Sequence, residues 1–343
     1  MEYGAIDLHL RRSQVRIIDA QETVVLDRRI DTAREDFDRV FADRPRMRIL
    51  LESSTESEWV AQHLEARGHE VIVADPNYAP MYGSRSRKVK TDKRDVAALA
   101  LACRRGIYRA AHRASAAARS LRQTMRVRQQ LVQVRSGLIS LLRAVLRQEG
   151  LRLPSGSAER VLQRLESLPV PAGVATVLAP IRAVLQHLTT TLTTADEAVE
   201  TRATHDPEAQ RLMTAPGVGP VVALTFQAVM DDPARFGGDA ARASAFVGLV
   251  PSEDSSAERQ HKGHITKTGP RDLRALLVQA SWVIWRGRSA AGAHLRTWAQ
   301  TVAARRGRRI AIVALARRLT RILYAMWRDQ TEFAPRQRPA MAA

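Results

Sequence analysis

One aspartate near the start of the chain limits the folds that the sequence can adopt. Asp7 interrupts a short strand pattern that is otherwise apolar, Gly4-Ala5-Ile6-Asp7-Leu8. A buried carboxylate without a partner is costly in free energy, so Asp7 is hard to explain as part of an ordinary core strand. The pattern indicates that this strand carries its acid into a functional site.

The residues after this strand predict a particular order of elements. Two more strands are expected, then helix, strand, helix, strand and helix, at residues 14–18, 23–27, 32–41, 47–51, 56–67, 70–74 and from 92 onward. This is the element order of the α/β RNase H-like fold. In that order Asp7 lies on the first strand, Glu52 ends the fourth, and Asp92 and Asp95 lie on the last helix. The four acids are therefore expected to converge at one end of a sheet.

Two of these acids lie close together at a helix start. Thr91 is a suitable N-cap, so Asp92 and Asp95 fall in the first turn and on one face. Two ionised carboxylates so close repel each other unless a cation lies between them. Paired carboxylate oxygens suit Mg²⁺, which usually takes one or two carboxylates together with phosphate. The alternative is that both acids only favour the helix dipole.

The charge balance predicts a polyanionic partner. The chain has 343 residues, with 54 Lys and Arg against 35 Asp and Glu, a net charge of +19. Such an excess is typical of nucleic-acid-binding proteins, although ribosomal and membrane-surface proteins can be equally basic. The single cysteine, Cys103, excludes an intrachain disulfide framework and suits a reducing cytoplasm. Neither a signal peptide nor an apolar run of about 18 residues occurs, so a cytoplasmic, nucleoid-associated protein is expected.

The middle of the chain predicts two long helices. Almost no helix breakers occur between residues 116 and 148, and apolar residues there repeat every seven positions. The two sets are Leu131, Leu138 and Val145, and Met125, Val132, Ile139 and Leu146. A second apolar pattern from Val177 to Leu192 predicts an antiparallel hairpin or coiled coil. The stripe could form a core within one chain or a seam between two chains.

Two glycines follow in a short turn. Residues 212–223 read Leu-Met-Thr-Ala-Pro-Gly-Val-Gly-Pro-Val-Val-Ala, which is similar to the hairpin of a helix-hairpin-helix element. Gly217 and Gly219 would let backbone N–H groups approach a DNA phosphate. A plain turn between two helices is the alternative.

A polar loop is predicted at residues 248–257, Gly-Leu-Val-Pro-Ser-Glu-Asp-Ser-Ser-Ala. The basic stretch Gly-His-Ile-Thr-Lys-Thr-Gly follows at 263–269, and a helix begins near Arg271. Serine beside Lys, Arg and a helix start suits nucleophilic attack on a phosphodiester, with cations that stabilise the developing charge. On composition alone, a linker is the better interpretation. His261 and His264 lack further ligands at zinc-site spacing, so phosphate contacts or plain surface are expected.

Three more helices are expected over 270–285, 290–304 and 308–327. Their tryptophans are expected to fill a core rather than stack on bases: Trp282, Trp285, Trp298 and Trp327. A cluster of arginines predicts a phosphate-binding edge, with solvated charge as the alternative: Arg305, Arg306, Arg308 and Arg309. The tail after Phe333 is rich in Pro, Arg and Ala and is expected to be disordered.

The first segment resembles the RuvC-like transposases of the IS110 family, which include Piv-type DNA invertases and bridge-RNA-guided recombinases. The similarity to their DEDD motif rests on Ala5-Ile6-Asp7, Leu50-Leu51-Glu52-Ser53 and Lys90-Thr91-Asp92-Lys93-Arg94-Asp95. The motifs Gly-Leu-Val-Pro, Ser-Ser, Gly-His-Ile-Thr-Lys-x-Gly and Leu-Arg-x-Leu-Leu look like the family's C-terminal serine domain. The family's nucleophile is the serine immediately before a glycine. Ser256 takes that position, Ala257 stands where the glycine is usual, and Ser255 is the neighbouring alternative.

This resemblance implies a transposase that cuts and rejoins DNA. Asp7, Glu52, Asp92 and Asp95 would hold Mg²⁺ and activate Ser256, which would attack DNA and form a covalent phosphoserine link. Expected partners are the element ends and target DNA, a structured guide RNA, and further copies of the chain in a dimer or tetramer. Nucleic-acid contacts are expected from Lys90, Lys93, Arg94, Gly217, Gly219, Lys262, His264, Lys267, Arg271 and the four clustered arginines.

Four segments follow from the same reading. They are a RuvC-like DEDD domain at 1–112, a helical coiled-coil dimerisation segment at 113–205, a helical serine transposase domain at 206–330 and a disordered tail at 331–343. Two rival functions remain open. A RuvC-like junction nuclease would need the four acids but not Ser256, and a non-catalytic nucleic-acid-binding protein would need only the basic surface.

Overall fold

A mixed five-stranded sheet organises the first part of the chain. The computed structural model describes residues 1–83, 91–256 and 259–335, with the backbone alone for 254–256 and 259–262. The strands are β1 (Tyr3–Asp7), β2 (Arg12–Ile18), β3 (Val24–Asp31), β4 (Arg48–Glu52) and β5 (Glu70–Ala74). They lie in the order β3-β2-β1-β4-β5. Strand β1 is antiparallel to β2 and parallel to β4, and β5 is parallel to β4.

Helices cover both faces of this sheet. They are α1 (Arg34–Phe41), α2 (Ser57–Ala66) and α3 (Asp92–Arg105). Successive residues of a strand point to opposite faces, so Ile6 packs into one apolar cluster with Phe37 and Val60, while Ala5 packs into the other with Leu99. The predicted order of strands and helices is the one observed.

Strand β3 is longer than the sequence predicts. It was expected to end at Asp27, but it pairs with β2 as far as Asp31, opposite Arg12. The polar stretch Asp27-Arg28-Arg29 resembles a turn in composition. As an edge strand, β3 keeps one face in solvent, and the backbone pairing to β2 satisfies its polar groups.

An antiparallel helical hairpin begins the second part of the chain. Its helices are α4 (Ala116–Gln148), the short α5 (Val161–Glu166) and α6 (Ala172–His205). Part of the predicted heptad stripe is used within the chain, because Ile139 and Leu146 are buried in one cluster with Leu178 and Leu185 of α6. Arg128 on α4 also forms an ion pair with Asp196 on α6 across the hairpin.

The remaining elements form a helical body with one β-hairpin. They are α7 (Pro207–Met213), α8 (Pro220–Met230), α9 (Ala240–Phe246), β6 (Pro251–Ser256), β7 (Arg259–Ile265), α10 (Arg271–Arg286), α11 (Ala293–Arg306) and α12 (Arg308–Asp329). Phe226 on α8 contacts Trp327 on α12 edge to face, at 5.9 Å between ring centroids. This contact lies in the large core cluster that these helices share.

The polar loop predicted at 248–257 is wrong for most of its length. Residues 251–256 form strand β6, which pairs with β7 in an antiparallel hairpin. Serine and acidic residues have low strand propensity, but cross-strand backbone hydrogen bonds compensate when two such segments pair.

The chain divides into two compact units, Met1–Arg113 and Ala114–Ala343. The finer division into four segments stays a prediction. The predicted disordered tail lies outside the described residues from 336 onward. No described helix combines the length and hydrophobicity that a membrane span requires.

Candidate active site

Two acids lie at the same edge of the sheet because their strands are parallel neighbours. Asp7 is the last residue of β1 and Glu52 is the last residue of β4. The register pairs Ile6 of β1 with Leu51 of β4, so the two acids leave the sheet side by side. The carboxyl ends of adjacent parallel strands thus bring residues 45 positions apart in sequence to one place.

The start of α3 brings two more acids to this edge. The Thr91 hydroxyl accepts a hydrogen bond from the backbone N–H of Arg94, which confirms Thr91 as the N-cap. Asp92 and Asp95 both lie in the first turn, as predicted. Asp92 is exposed, whereas the Asp95 residue is only 7% exposed.

The pKa of Asp7 reflects the proximity of the other acids. Burial raises the pKa of the Asp7 carboxyl, and the neighbouring His9 lowers it. The negative charges of Glu52, Asp92 and Asp95 each raise the pKa further. Each of the other three predicted acids therefore acts on Asp7, although the four come from three separate segments of the sequence.

The tightest group of ligand atoms differs from the predicted set. Among the described residues, one ligand atom each from Asp7, His9 and Asp92 lie within 4.8 Å of one another. The His9 Nε2 is 3.5 Å from Oδ2 of Asp7 and 3.9 Å from Oδ1 of Asp92. Glu52 and Asp95 lie outside this tight group. The structure thus adds a histidine that sequence reasoning did not identify.

Glu52 has a partner of its own. The Tyr82 hydroxyl donates a hydrogen bond to the Glu52 carboxylate from the short 3-10 turn Ala79–Tyr82. Asp92 faces a cation as well, because Arg29 Nη2 of β3 is 3.9 Å from its Oδ2. The acids therefore sit among groups that can orient them and that can also contact an anionic substrate.

The donor set fits a divalent cation. Hard carboxylate oxygens from Asp7 and Asp92 are the ligands that Mg²⁺ and Mn²⁺ prefer. Burial and the repulsion from neighbouring acids raise the Asp7 pKa, and a bound cation would offset the cost of ionising this carboxyl. A single imidazole is compatible with this chemistry, most readily with Mn²⁺.

The predicted nucleophile lies at the end of strand β6. The backbone of Ser256 pairs with Arg259 of β7 across the hairpin. Ala257 and the side chains of Ser255, Ser256, His261 and Lys262 lie outside the described part of the chain. The geometry of the serine hydroxyl therefore stays a prediction.

Two glycines tie the hairpin to the helical body. Gly248 has a φ of 71°, and a Cβ at this position would lie 2.3 Å from the carbonyl oxygen of Thr268. Gly269, also at φ 71°, would place a Cβ 2.0 Å from the carbonyl oxygen of Phe246. The two motifs that carry the resemblance in this region therefore pack backbone against backbone, which only glycine permits.

The predicted nucleic-acid contacts are mostly on the surface. Lys90 lies outside the described residues, whereas Lys93, Arg94, His264, Lys267 and Arg271 are exposed. Gly217 has a packing explanation, because its Cβ would lie 2.6 Å from the carbonyl oxygen of Ala280 on α10. Gly219 has nothing within 4 Å of its Cβ position and precedes α8 as its N-cap.

Of the site residues that the sequence analysis did not identify, one has a local signal in the sequence. His9 follows Asp7 by two positions, the spacing at which side chains of an extended chain share a face. Arg29 and Tyr82 have no comparable local signal, because their neighbours in space come from distant parts of the sequence. Only the strand order brings them to the acids.

Family models match both units of the chain. Residues 209–296 match the model described as transposase IS116/IS110/IS902 family. Residues 5–150 match a second transposase model, that of the IS110-type DEDD domain. The first match includes the β6–β7 hairpin, and the second includes Asp7, Glu52, Asp92 and Asp95.

Curated relatives extend the similarity over nearly the whole chain. A Coxiella burnetii protein named transposase for insertion sequence element IS1111A is 30% identical over 252 residues, 71% of this chain and 68% of the relative. A Pseudomonas aeruginosa protein named "Probable family 20 transposase" is 27% identical over 337 residues, 96% of this chain and 98% of the relative. The Yersinia enterocolitica transposase for element IS1328 is 24% identical, covering 83% of this chain and 85% of the relative.

Proposed function

This chain belongs to the IS116/IS110/IS902 family of transposases, and we propose that it cuts and rejoins DNA through a serine nucleophile assisted by metal-binding acids. The observation that carries this proposal is the convergence of Asp7 with Glu52, Asp92 and Asp95. Such a cluster is costly without a cation, so its presence in a DNA transposase supports a catalytic role.

The first unit would be an RNase H-like domain that binds Mg²⁺. Its mixed sheet, its element order and the acids at one edge all support this assignment. Asp7 and Asp92 would be direct ligands, with Glu52, Asp95 and His9 completing or orienting the site. A bound divalent cation supplies charge neutralisation and Lewis-acid assistance at a phosphodiester.

The second unit would supply the nucleophile. The Ser256 hydroxyl loses its proton as its oxygen bonds to phosphorus, and one phosphodiester P–O bond breaks. The released deoxyribose oxygen takes up a proton and becomes a strand-end hydroxyl. Energy is conserved in the phosphoserine link, so the reverse attack by another strand-end hydroxyl rejoins DNA and restores the serine.

Exposed basic residues support nucleic-acid binding beyond the acids. Lys93 and Arg94 lie next to Asp92 on the first turn of α3, where they can contact phosphates that enter the site. Their charge fits both the element DNA and the structured guide RNA expected from the family. The guide RNA is proposed from the family alone, because the basic surface fits either nucleic acid.

We also propose that the chain works as a homodimer or a higher oligomer. Val127, Val134 and Leu141 of α4 are spaced seven residues apart and are 62%, 41% and 50% exposed. An exposed apolar stripe with this period fits a helix seam with a second copy. Sedimentation of Val134→Asp/Leu141→Asp tests this, with Leu10→Asp, another exposed leucine, as the control. A wild-type monomer, or an unchanged double variant, would contradict the seam.

Cleavage of DNA that carries an element end tests the function directly. Asp92→Asn and Asp95→Asn should each abolish magnesium-dependent strand cleavage, because each removes a charge from the cluster. Arg105→Gln, at the far end of α3, should leave cleavage near wild type. Wild-type cleavage in both aspartate variants would contradict the role of the acids. Cleavage without any covalent intermediate would instead favour a RuvC-like nuclease that uses water.

A further inference from the structure

Trp282 differs from the other tryptophans of the second unit. Trp327 is buried in the core, and Trp285 and Trp298 pack against that core. Trp282 does not pack against it in the described structure, although it is only partly exposed. The expectation that all four fill a core is therefore wrong for this residue.

The position of Trp282 on α10 explains the difference. The buried residues of this helix include Leu277, Ala280 and Ile284. Trp282 is two residues from both Ala280 and Ile284, so it points about 200° around the helix from each of them. Its indole therefore faces away from the stripe that holds α10 in the fold.

Two arginine guanidinium groups lie close to this indole. The guanidinium carbon of Arg286, one helical turn further on, is 5.0 Å from the ring centroid. The guanidinium carbon of Arg308, the first residue of α12, is 5.8 Å from the same centroid. Neither arginine forms an ion pair with a described residue, so both positive charges are available to an external anion.

Exposed apolar and basic residues are neighbours of this group in sequence. Val283, the residue after Trp282, is 58% exposed. Ile310, two residues after Arg308, is 53% exposed. Arg305, Arg306 and Arg309 are exposed and also form no ion pair within the described ranges. An aromatic face beside uncompensated arginines has the chemistry of a site for bases and phosphates.

We propose that Trp282, Arg286 and Arg308 form a stacking site for unpaired bases of single-stranded DNA. The indole stacks on a base, and the two guanidinium groups contact the phosphates on either side of it. Duplex DNA does not fit this chemistry, because its bases are already stacked and only its phosphates are available. A protein partner fits less well, because the patch would bury several unpaired arginine charges.

This inference rests on the proposed function, since strand cutting produces unpaired DNA. The site would hold strand ends while they await rejoining. It adds a recognition element that is separate from the acids and from the serine hairpin, and its binding can be measured without cleavage.

Oligonucleotide binding by the full chain tests the proposal. The probes are an oligothymidylate, an abasic oligonucleotide of the same length, and a duplex. Wild type should bind oligothymidylate about tenfold more tightly than the abasic probe, because each base–aromatic stack contributes a factor of this size. Trp282→Leu should remove this advantage and leave abasic and duplex affinities within about twofold of wild type. Trp282→Phe should keep part of it, since the ring is smaller but still flat.

Trp298→Leu is the matched control. Trp298 also lies under an arginine, with the Arg318 guanidinium carbon 4.6 Å from its ring, but it packs against the core. This variant should keep the base-dependent advantage. The proposal is overturned if wild type has no such advantage, if Trp282→Leu keeps it, or if Trp298→Leu loses it equally.

Failure here is distinguishable from failure of the transposase mechanism. A wild-type chain that forms no covalent link to DNA would contradict the serine mechanism, whatever its preference for bases. A chain that forms the link but binds both single-stranded probes equally would contradict only the stacking site.

Discussion

The imidazole of His9 lies between two acids, with its Nε2 3.5 Å from Asp7 and 3.9 Å from Asp92. Both distances exceed those of a hydrogen bond. They match the spacing of groups that share an ion, since two ligands each about 2.1 Å from a cation are at most about 4.2 Å apart. His9 therefore belongs with the acids in any account of the site.

Metal binding should be visible in the thermal stability of the chain. Millimolar Mg²⁺ or Mn²⁺ should raise the Tm of wild type, because a ligand that binds only the folded state stabilises it. Asp7→Asn should abolish that rise. It should also raise the Tm measured in EDTA at neutral pH by a few degrees, because it removes a carboxylate whose ionisation burial and three neighbouring acids disfavour.

The matched control is Asp31→Asn, which alters an exposed acid of the β3 edge outside the cluster. It should keep the metal-dependent rise in Tm. An Asp7→Asn chain that responds to metal as wild type does would exclude Asp7 as a ligand.

His9 should tune the preference between metals. Imidazole nitrogen favours Mn²⁺ over Mg²⁺ more than carboxylate oxygen does, so wild type should bind Mn²⁺ the more tightly. His9→Ala should weaken Mn²⁺ binding by about tenfold and Mg²⁺ binding by less, as measured by calorimetric titration of each ion. Equal losses for both ions would argue that His9 only positions the acids.

Low pH should weaken the interaction between Asp75 and Arg109. The Asn77 backbone N–H lowers the pKa of Asp75, burial raises it, and the Arg109 guanidinium lowers it again, with a net fall below the ordinary 3.8. A depressed pKa contributes stability that is complete above pH 3.8 and is lost as the pH falls through the lower, folded value.

Asp75→Asn should therefore cost about 1 kcal/mol of unfolding free energy near pH 7. The difference from wild type should shrink as the pH falls from 3.8 through the lower folded pKa, where wild-type Asp75 also becomes neutral. Urea unfolding at both pH values measures it. A difference that does not change with pH would show that the charge of Asp75 is unimportant.

Two matched arginine pairs test the phosphate-binding edge. Arg305 and Arg306 end α11 without an ion-pair partner in the described residues, whereas Arg104 and Arg105 end α3 and both pair with Glu22. Neutralising Arg305 and Arg306 to Gln should reduce the slope of log affinity against log salt by up to about 1.8 for duplex DNA. The same change at Arg104 and Arg105 should alter the slope much less, and equal effects would contradict a localised edge.

The sequence predicted the first unit well because its signals are local. The acid in an apolar strand, the cap at Thr91 and the turn residues between elements each act over a few residues. The order of elements then placed Glu52 beside Asp7, since adjacent parallel strands end at one edge.

Other features depend on partners that are distant in sequence. Arg29 and Tyr82 reach the acids only through the sheet order. The β6–β7 hairpin forms because two polar segments pair with each other, which neither segment indicates alone. The outward position of Trp282 could have been predicted from the sequence, because Trp282 does not belong to the apolar helical repeat that α10 buries. The prediction of a core position relied on the aromatic character of Trp282 and not on its place in the helical repeat.

Covalent capture of DNA on a denaturing gel tests the central claim most directly. Wild-type chain, incubated with labelled DNA that carries an element end, with Mg²⁺ and with RNA transcribed from the element's non-coding end, should give an adduct that survives SDS. Ser256→Ala should give no adduct, because it removes the attacking oxygen. Ser255→Ala should retain the adduct. An adduct of wild-type yield from Ser256→Ala would contradict Ser256 as the nucleophile.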